Sequence, residues 1–255
     1  MAFKPYVVGT LFMSVSVILT EALNFFRSQG KALFLVCFPL LLVQNGLQMW
    51  VNSQLPTAEE TQGLEVQLEA THYIAVLLLL LVLFHMYACV TLFLHTRSQG
   101  QQLNASQIWL GGLHYVPSMM LAGVISAVAV MMAMMPAIIS GFFPLAILAL
   151  WVGVRLAYVN FMVVVEGATP LASVTECFKF SGAIFWQTLM VLGLLIPISL
   201  VTAVADTAVA QGPMVLRIVV NALFAYVGLF ITVALFRLYM VNRQPTVTTQ
   251  SEQQG

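Results

Sequence analysis

Residues 163–182 read VVVEGATPLASVTECFKFSG. An apolar run stops at Glu166-Gly167, Glu176 and Lys179 follow, and a second apolar run with an aromatic start opens at Phe185-Trp186. Of 255 residues, 61% are hydrophobic and only 7% are charged, against roughly 25% charged in soluble domains. Charges this rare need a reason. Glu166-Gly167 marks the end of a membrane span; Thr169 is placed to cap a new helix, with Pro170 at its first position. Leu171, Val174 and Phe178 then share one face, and Ser173, Glu176 and Lys179 another. The spacing predicts a short amphipathic helix over 168–183 on the membrane surface, with Phe178 and Phe180 toward lipid and Lys179 near anionic headgroups.

Outward from this stretch the chain is a series of apolar runs near 32–50, 73–94, 109–134, 138–162, 186–206 and 214–240, of the ~20 residues that cross a bilayer. Hydrocarbon leaves no backbone polar group a partner outside the chain, so each run is expected to be a helix. The fold class is therefore all-α: a polytopic helical membrane protein with six transmembrane helices and two interfacial amphipathic helices. Residues 1–244 form one integral membrane domain, and the polar tail 245–255 is expected to be disordered.

The first interfacial helix falls within 1–30. Val8, Leu11, Phe12, Val15, Ile18, Leu19, Ala22, Leu23 and Phe26 recur at helical spacing, opposite Thr10, Ser14, Glu21, Asn24 and Ser28. Counting 6–23 as a span instead would change the parity. With six spans, Lys4, Arg27, Lys31, Arg97, Lys179, Arg237 and Arg243 lie on one side, and Glu59, Glu60, Glu65, Glu69 and Asp206 on the other, with Arg217 nearby. Short loops rich in Lys and Arg stay in the cytoplasm, so both termini are expected there. FRSQGKALF at 26–34 and FKFSGAIFW at 178–186 align their aromatic, basic and glycine positions. An internal repeat or the common demands of an interfacial turn would each produce this match.

Nine basic residues balance nine acidic ones, which leaves no basic surface for nucleic acid. Cys37, Cys89 and Cys177 are scattered, without disulfide or CxxC spacing, and read as packing residues. The chain has no HExxH, GxSxG or GxxxxGK pattern and no close pair of carboxylates within a span, so no catalytic residue, cofactor or metal is assigned. Glu65, Glu69 and His72 fall at i, i+4 and i+7, which reads as a solvated acidic face rather than a cation site. His85 lacks a ligand-spaced partner and reads as a core histidine.

An ionisable group within a span costs about 2.5–3.5 kcal/mol on insertion scales, which singles out Arg155. It shares a helical face with Tyr158, Met162 and Glu166, and serves either as a structural anchor or as a lipid-headgroup or substrate contact. Gln44, Asn45 and Gln48, with Asn160, either bond to neighbouring helices or line a polar path. Arg217 is placed to pair with Asp206 across a tight hairpin. Ala122, Gly123, Ser126, Ala127, Ala129 and Ala133 suit close helix packing. Pro39 and Pro197 lie at similar depths in spans one and five, as broken transporter helices or as ordinary kinks.

NFFRSQ at 24–29, PAIISGFF at 136–143 and LFRLYMVNRQ at 235–244 carry a resemblance to the YciC-type family of bacterial inner-membrane proteins. VVVEGATPLASV leading to Phe185-Trp186 resembles the layout of wider relatives. The resemblance implies a Gram-negative inner-membrane location and supplies no catalytic residue. The expected function is non-enzymatic, in membrane or envelope upkeep through contacts with membrane lipids or proteins. The alternative is a transporter or permease for a small solute or lipid. The residues for lipid or polar-path contacts are Asn45, Arg155, Asn160, Glu166 and Lys179.

Overall fold

Runs this apolar satisfy their backbone by local hydrogen bonds, and among the described residues every regular element is helical. A computed structural model describes residues 15–54 and 70–243. In chain order the helices are α1 (Val15–Gln54), α2 (Ala70–Ser98), α3 (Ala105–Ser140), α4 (Ile147–Arg155), α5 (Val159–Val165), α6 (Pro170–Phe180), α7 (Phe185–Gly193), α8 (Leu195–Val209) and α9 (Met214–Asn242), with a 3-10 turn at Phe143–Ala146 before α4. They make up six helical stretches long and apolar enough to cross a membrane: Val15–Ser53, Thr71–Ser98, Ala105–Ser140, Phe143–Val165, Phe185–Val209 and Met214–Asn242. Five of the six predicted runs lie inside these; the fourth, 138–162, starts too early, since residues 138–140 still belong to α3 and its stretch opens at Phe143. Large apolar side chains cover the outside, with Ile139 82% and Phe143 80% exposed, a surface compatible with lipid rather than water.

α1 differs from the expectation of a separate N-terminal amphipathic helix. Residues 15–54 form one helix, unbroken at Gly30-Lys31, because a single glycine costs a helix only about 1 kcal/mol. Ile18 and Ala22, on its predicted apolar face, are buried in the core beside other helices. Its opposite face carries Glu21, bonded to Arg237 of α9 at 2.5 Å. Residues 1–14 of that expected helix, the loop carboxylates Glu59, Glu60, Glu65 and Glu69, and the tail 245–255 lie outside the described residues.

α1 and α9 run antiparallel. Glu21 meets Arg237, the Tyr226 hydroxyl donates to the Gly30 carbonyl at 2.8 Å, and Gly46 faces Ile218. The first and last described helices thus close the bundle. α2 and α3 pack beside α1, and Trp109 Nε1 of α3 donates to the Val36 carbonyl at 2.9 Å. Small residues let α2 and α3 approach: a Cβ at Gly112 would lie 2.7 Å from Cys89 Sγ, and one at Gly123 would lie 2.2 Å from the Phe84 ring.

Two of the six stretches are broken. In the fifth, Pro197 has no N–H for the carbonyl of Gly193 and its ring crowds that carbonyl; α7 ends at Gly193 and α8 starts at Leu195. Pro39 sits inside the continuous α1, so the two prolines do not form a matched pair of breaks. The fourth stretch breaks without proline at 156–158, where the Val159 N–H bonds to the Leu156 carbonyl. This leaves the Arg155 carbonyl for another donor.

Gly123→Val forces the Phe84 ring to move and is expected to destabilise by about 1–3 kcal/mol, read as a lower melting temperature in detergent. Gly153→Ala, with nothing within 4 Å of the new carbon, is expected to leave stability unchanged or raise it by up to about 1 kcal/mol. Equal effects of the two would count against the tight α2–α3 seam.

Candidate functional site

The stretch that opened the sequence reading folds into a junction at one end of the bundle. α5 stops at Val165, Gly167 takes a φ of +63° that side chains rarely adopt, and α6 begins at Pro170 with Thr169 extended ahead of it. The predicted start of α6 with Pro170 in its first turn is therefore present, but the Thr169 side chain makes no capping hydrogen bond. One face differs from the expectation: Ser173, placed with Glu176 and Lys179, is buried together with Cys177 and the following Ser181, while Leu171 is 67% exposed. Small side chains let α6 sit close to α3 and α5. Phe178 packs edge-on to Trp151 of α4, and Phe180 contacts the rings of Tyr158 and Tyr239, so neither aromatic is simply turned outward.

Arg155 holds α6 from below. Its Nη1 donates to the Phe178 carbonyl at 2.9 Å, and its guanidinium lies 5.0 Å from the Trp151 ring centroid and 5.5 Å from that of Phe178. A cation at the carbonyl end of a helix offsets the helix dipole. A Cβ at Gly182 would lie 2.4 Å from Nη1, so the glycine opens the passage for this side chain. The Arg155 carbonyl, freed by the break after α4, accepts the Cys177 thiol at 3.1 Å. Burial pushes the Cys177 pKa up to about 12. The anchor reading of Arg155 matches these contacts. The expected common face of Arg155 and Glu166 does not form, because the helix between them is interrupted at 156–158.

Glu166 is the second fixed point. It accepts two parallel bonds from Arg243, Nε at 2.7 Å and Nη2 at 2.8 Å, and a short bond from the Tyr239 hydroxyl. This is a bidentate carboxylate–guanidinium pair, the stronger class of ion pair. It ties the end of α5 to the end of α9. Lys179, by contrast, is exposed and bonds to Glu176 at 3.0 Å, which holds the Glu176 carboxyl below its usual range. The pair has little energetic weight. The aligned stretches 26–34 and 178–186 do not share a structure: the first is continuous helix, and the second passes through a turn at 181–184.

Asn45 and Asn160 lie elsewhere, in different cavities. A cavity of about 590 Å³ at the other end of the bundle is lined by Asn45, Gln48, Asn52, Asp206, Arg217 and Asn221. Arg217 Nη2 stands 3.8 Å from Asp206 Oδ1, which also accepts from Asn221 Nδ2 at 3.1 Å. The predicted Asp206–Arg217 pair is present, loosely held. Asn221 and Asn52 had no sequence signal, since their place depends on the register of α1 against α9. From Asn45, Asp206 and Asn221 this cavity continues into an open groove of about 600 Å³ between α8 and α9. Deeper, Leu195, Ala225 and Gly228 border both the groove and a cavity of about 440 Å³ lined by Gln44, Thr91, Asn160 and Thr232. The enclosed Gln44 side-chain oxygen accepts no hydrogen bond among the described residues. A cavity with several polar walls can hold water.

Among the described residues no three His, Cys, Asp or Glu side chains gather to hold a metal. His85 lies against Cys89 Sγ, with its Nε2 3.6 Å away, inside the α2–α3 seam. Comparison with protein-family models, curated proteins and solved structures finds no match.

Two outcomes check the junction. Glu166→Ala leaves Arg243 and Tyr239 without their acceptor and is expected to cost about 2 kcal/mol; a double-mutant cycle with Arg243→Ala should give a coupling of about 1 kcal/mol or more, and additivity would dissolve the pair. Cys177, buried and with a thiol pKa near 12, is expected to stay unalkylated by iodoacetamide at pH 8 in the folded protein and to react fully once unfolded.

Proposed function

We propose that the chain is a non-enzymatic, multi-pass protein of the bacterial inner membrane, of the YciC type, with both termini cytoplasmic, that acts in membrane or envelope upkeep through contacts with lipid. The observation that carries this reading is the groove between α8 and α9: it opens on the apolar outer surface and ends at the charged Asp206–Arg217 pair. Amphiphiles have this polarity. At the opposite end Arg155 Nη1 and the Glu166 carboxylate hold helices together through Phe178, Tyr239 and Arg243. The sidedness is supported by the packing of Arg97 against Phe93, itself beside Phe25 of α1, which brings Arg97 to the same end as Arg237 and Arg243.

The linked cavities favour a second reading, transport of a small solute or lipid, in which the polar walls at Gln44 and Asn160 extend the path inward. Cysteine labelling separates the two. In intact spheroplasts an external, membrane-impermeant maleimide is expected to label Asn52→Cys and to leave a cysteine added at the tail untouched. Asn160→Cys is expected to be protected. Labelling of Asn160→Cys would favour transport, and labelling of the tail would reverse the topology. A deletion strain is expected to show altered membrane lipid composition by mass spectrometry; an unchanged composition would overturn the upkeep reading.

A further inference from the structure

The cavity bounded by α1, α8 and α9 joins two opposite charges to an apolar channel, a combination that one class of ligand carries in a single molecule. We propose that it holds a zwitterionic aminophospholipid, its phosphate against Arg217, its ammonium against Asp206, and an acyl chain in the groove between α8 and α9. This rests on the lipid-contact reading above and names the lipid.

The charged pair is built to accept partners. Its N–O separation is 3.8 Å, longer than a hydrogen bond, and Arg217 Nε is enclosed yet finds no acceptor among the described residues. A guanidinium with an unmet donor is suited to a phosphate oxygen. Asp206 Oδ1 takes both the arginine contact and the Asn221 amide, and Asn45, Gln48 and Asn52 supply further amides around it. An anionic head would meet Asp206 repulsively and a simple cation would meet Arg217; a zwitterion satisfies both. The described lining holds no aromatic ring, and quaternary ammonium groups are usually received by aromatic cages. A primary ammonium, which donates hydrogen bonds to carboxylate and amide oxygens, fits the polar wall.

The groove decides between a lipid and a soluble zwitterion. It shares Asn45, Asp206 and Asn221 with the polar cavity, then follows α8 back to Leu195 past Ile198, Thr202 and Ala203. From Leu195 to Asp206 the helix rises ~16 Å, close to the ~15 Å depth of one leaflet's hydrocarbon. The polar end is therefore at headgroup level when the groove lies in that leaflet.

Native mass spectrometry of the full chain in detergent, offered phosphatidylethanolamine, phosphatidylcholine or phosphatidylglycerol in turn, tests this. The phosphatidylethanolamine adduct is expected to exceed the other two about tenfold, roughly the loss of one good interaction. Arg217→Gln and Asp206→Asn should each reduce it about tenfold. Ala203→Trp, which fills the groove and leaves the charges in place, should do the same, so the test survives if a charge variant fails to fold. Equal adducts of the three lipids, or an adduct indifferent to Ala203→Trp, would overturn the proposal. Displacement by equimolar glycerophosphoethanolamine, the head without chains, would also overturn it in favour of a soluble zwitterion. Selective retention of phosphatidylglycerol would overturn the headgroup assignment and leave the lipid-contact reading standing, whereas unchanged lipid composition in the deletion strain strikes that reading alone.

Discussion

The antiparallel contact between α1 and α9 sets the position of everything else. These helices come from opposite ends of the chain, and their register is held at one end by Glu21 and Arg237, midway by the Tyr226 hydroxyl on the Gly30 carbonyl, and further along by Gly46 against Ile218. That register brings Asn45 to Asp206 and Asn221 at one end of the bundle, and places Arg237 and Arg243 at the other. A slip of one turn, ~5.4 Å, would separate both sets. Polar groups in so apolar a chain are costly unless satisfied within it, which makes the register energetically selective.

At the cationic end, a helix break and a carboxylate do related work. The interruption at 156–158 frees the Arg155 carbonyl for Cys177 and turns the Arg155 side chain toward the carbonyl end of α6. Glu166, one short helix later, gathers Tyr239 and Arg243. The residues of LFRLYMVNRQ and VVVEG, far apart in sequence, thereby meet at one junction, with Phe180, Tyr158 and Tyr239 packed between them. Glu166 is filled by Tyr239 and both nitrogens of Arg243, and Arg155 is held by the Phe178 carbonyl and two aromatic faces, which suits a rigid joint.

The opposite end has the reverse character. Asp206 and Arg217 are close enough to attract but too far to bond, the amides around them line open space, and the groove beside them is apolar. At one end the carboxylate and guanidinium of Glu166 and Arg243 are closed on each other, while at the other the charged pair stays apart beside an open cavity. This contrast, rather than any single residue, supports the ligand reading.

The sequence by itself determined the six apolar stretches, their helical state and the start of α6 at Pro170, because hydropathy over ~20 residues and the preference of proline for a helix's first turn are properties of neighbouring residues. It also determined the Asp206–Arg217 pair, which a tight hairpin makes nearly local. The tertiary structure alone decided that Ile18 and Ala22 are core and not an interfacial face, since an amphipathic pattern does not say whether protein or lipid covers its apolar side. It decided that Phe180 joins Tyr239, that Glu166 binds Arg243 and not the Arg155 face, and that Asn45 and Asn160 line separate cavities. Those outcomes depend on which helices become neighbours and in what register, and long-range packing leaves no periodic trace in a single chain.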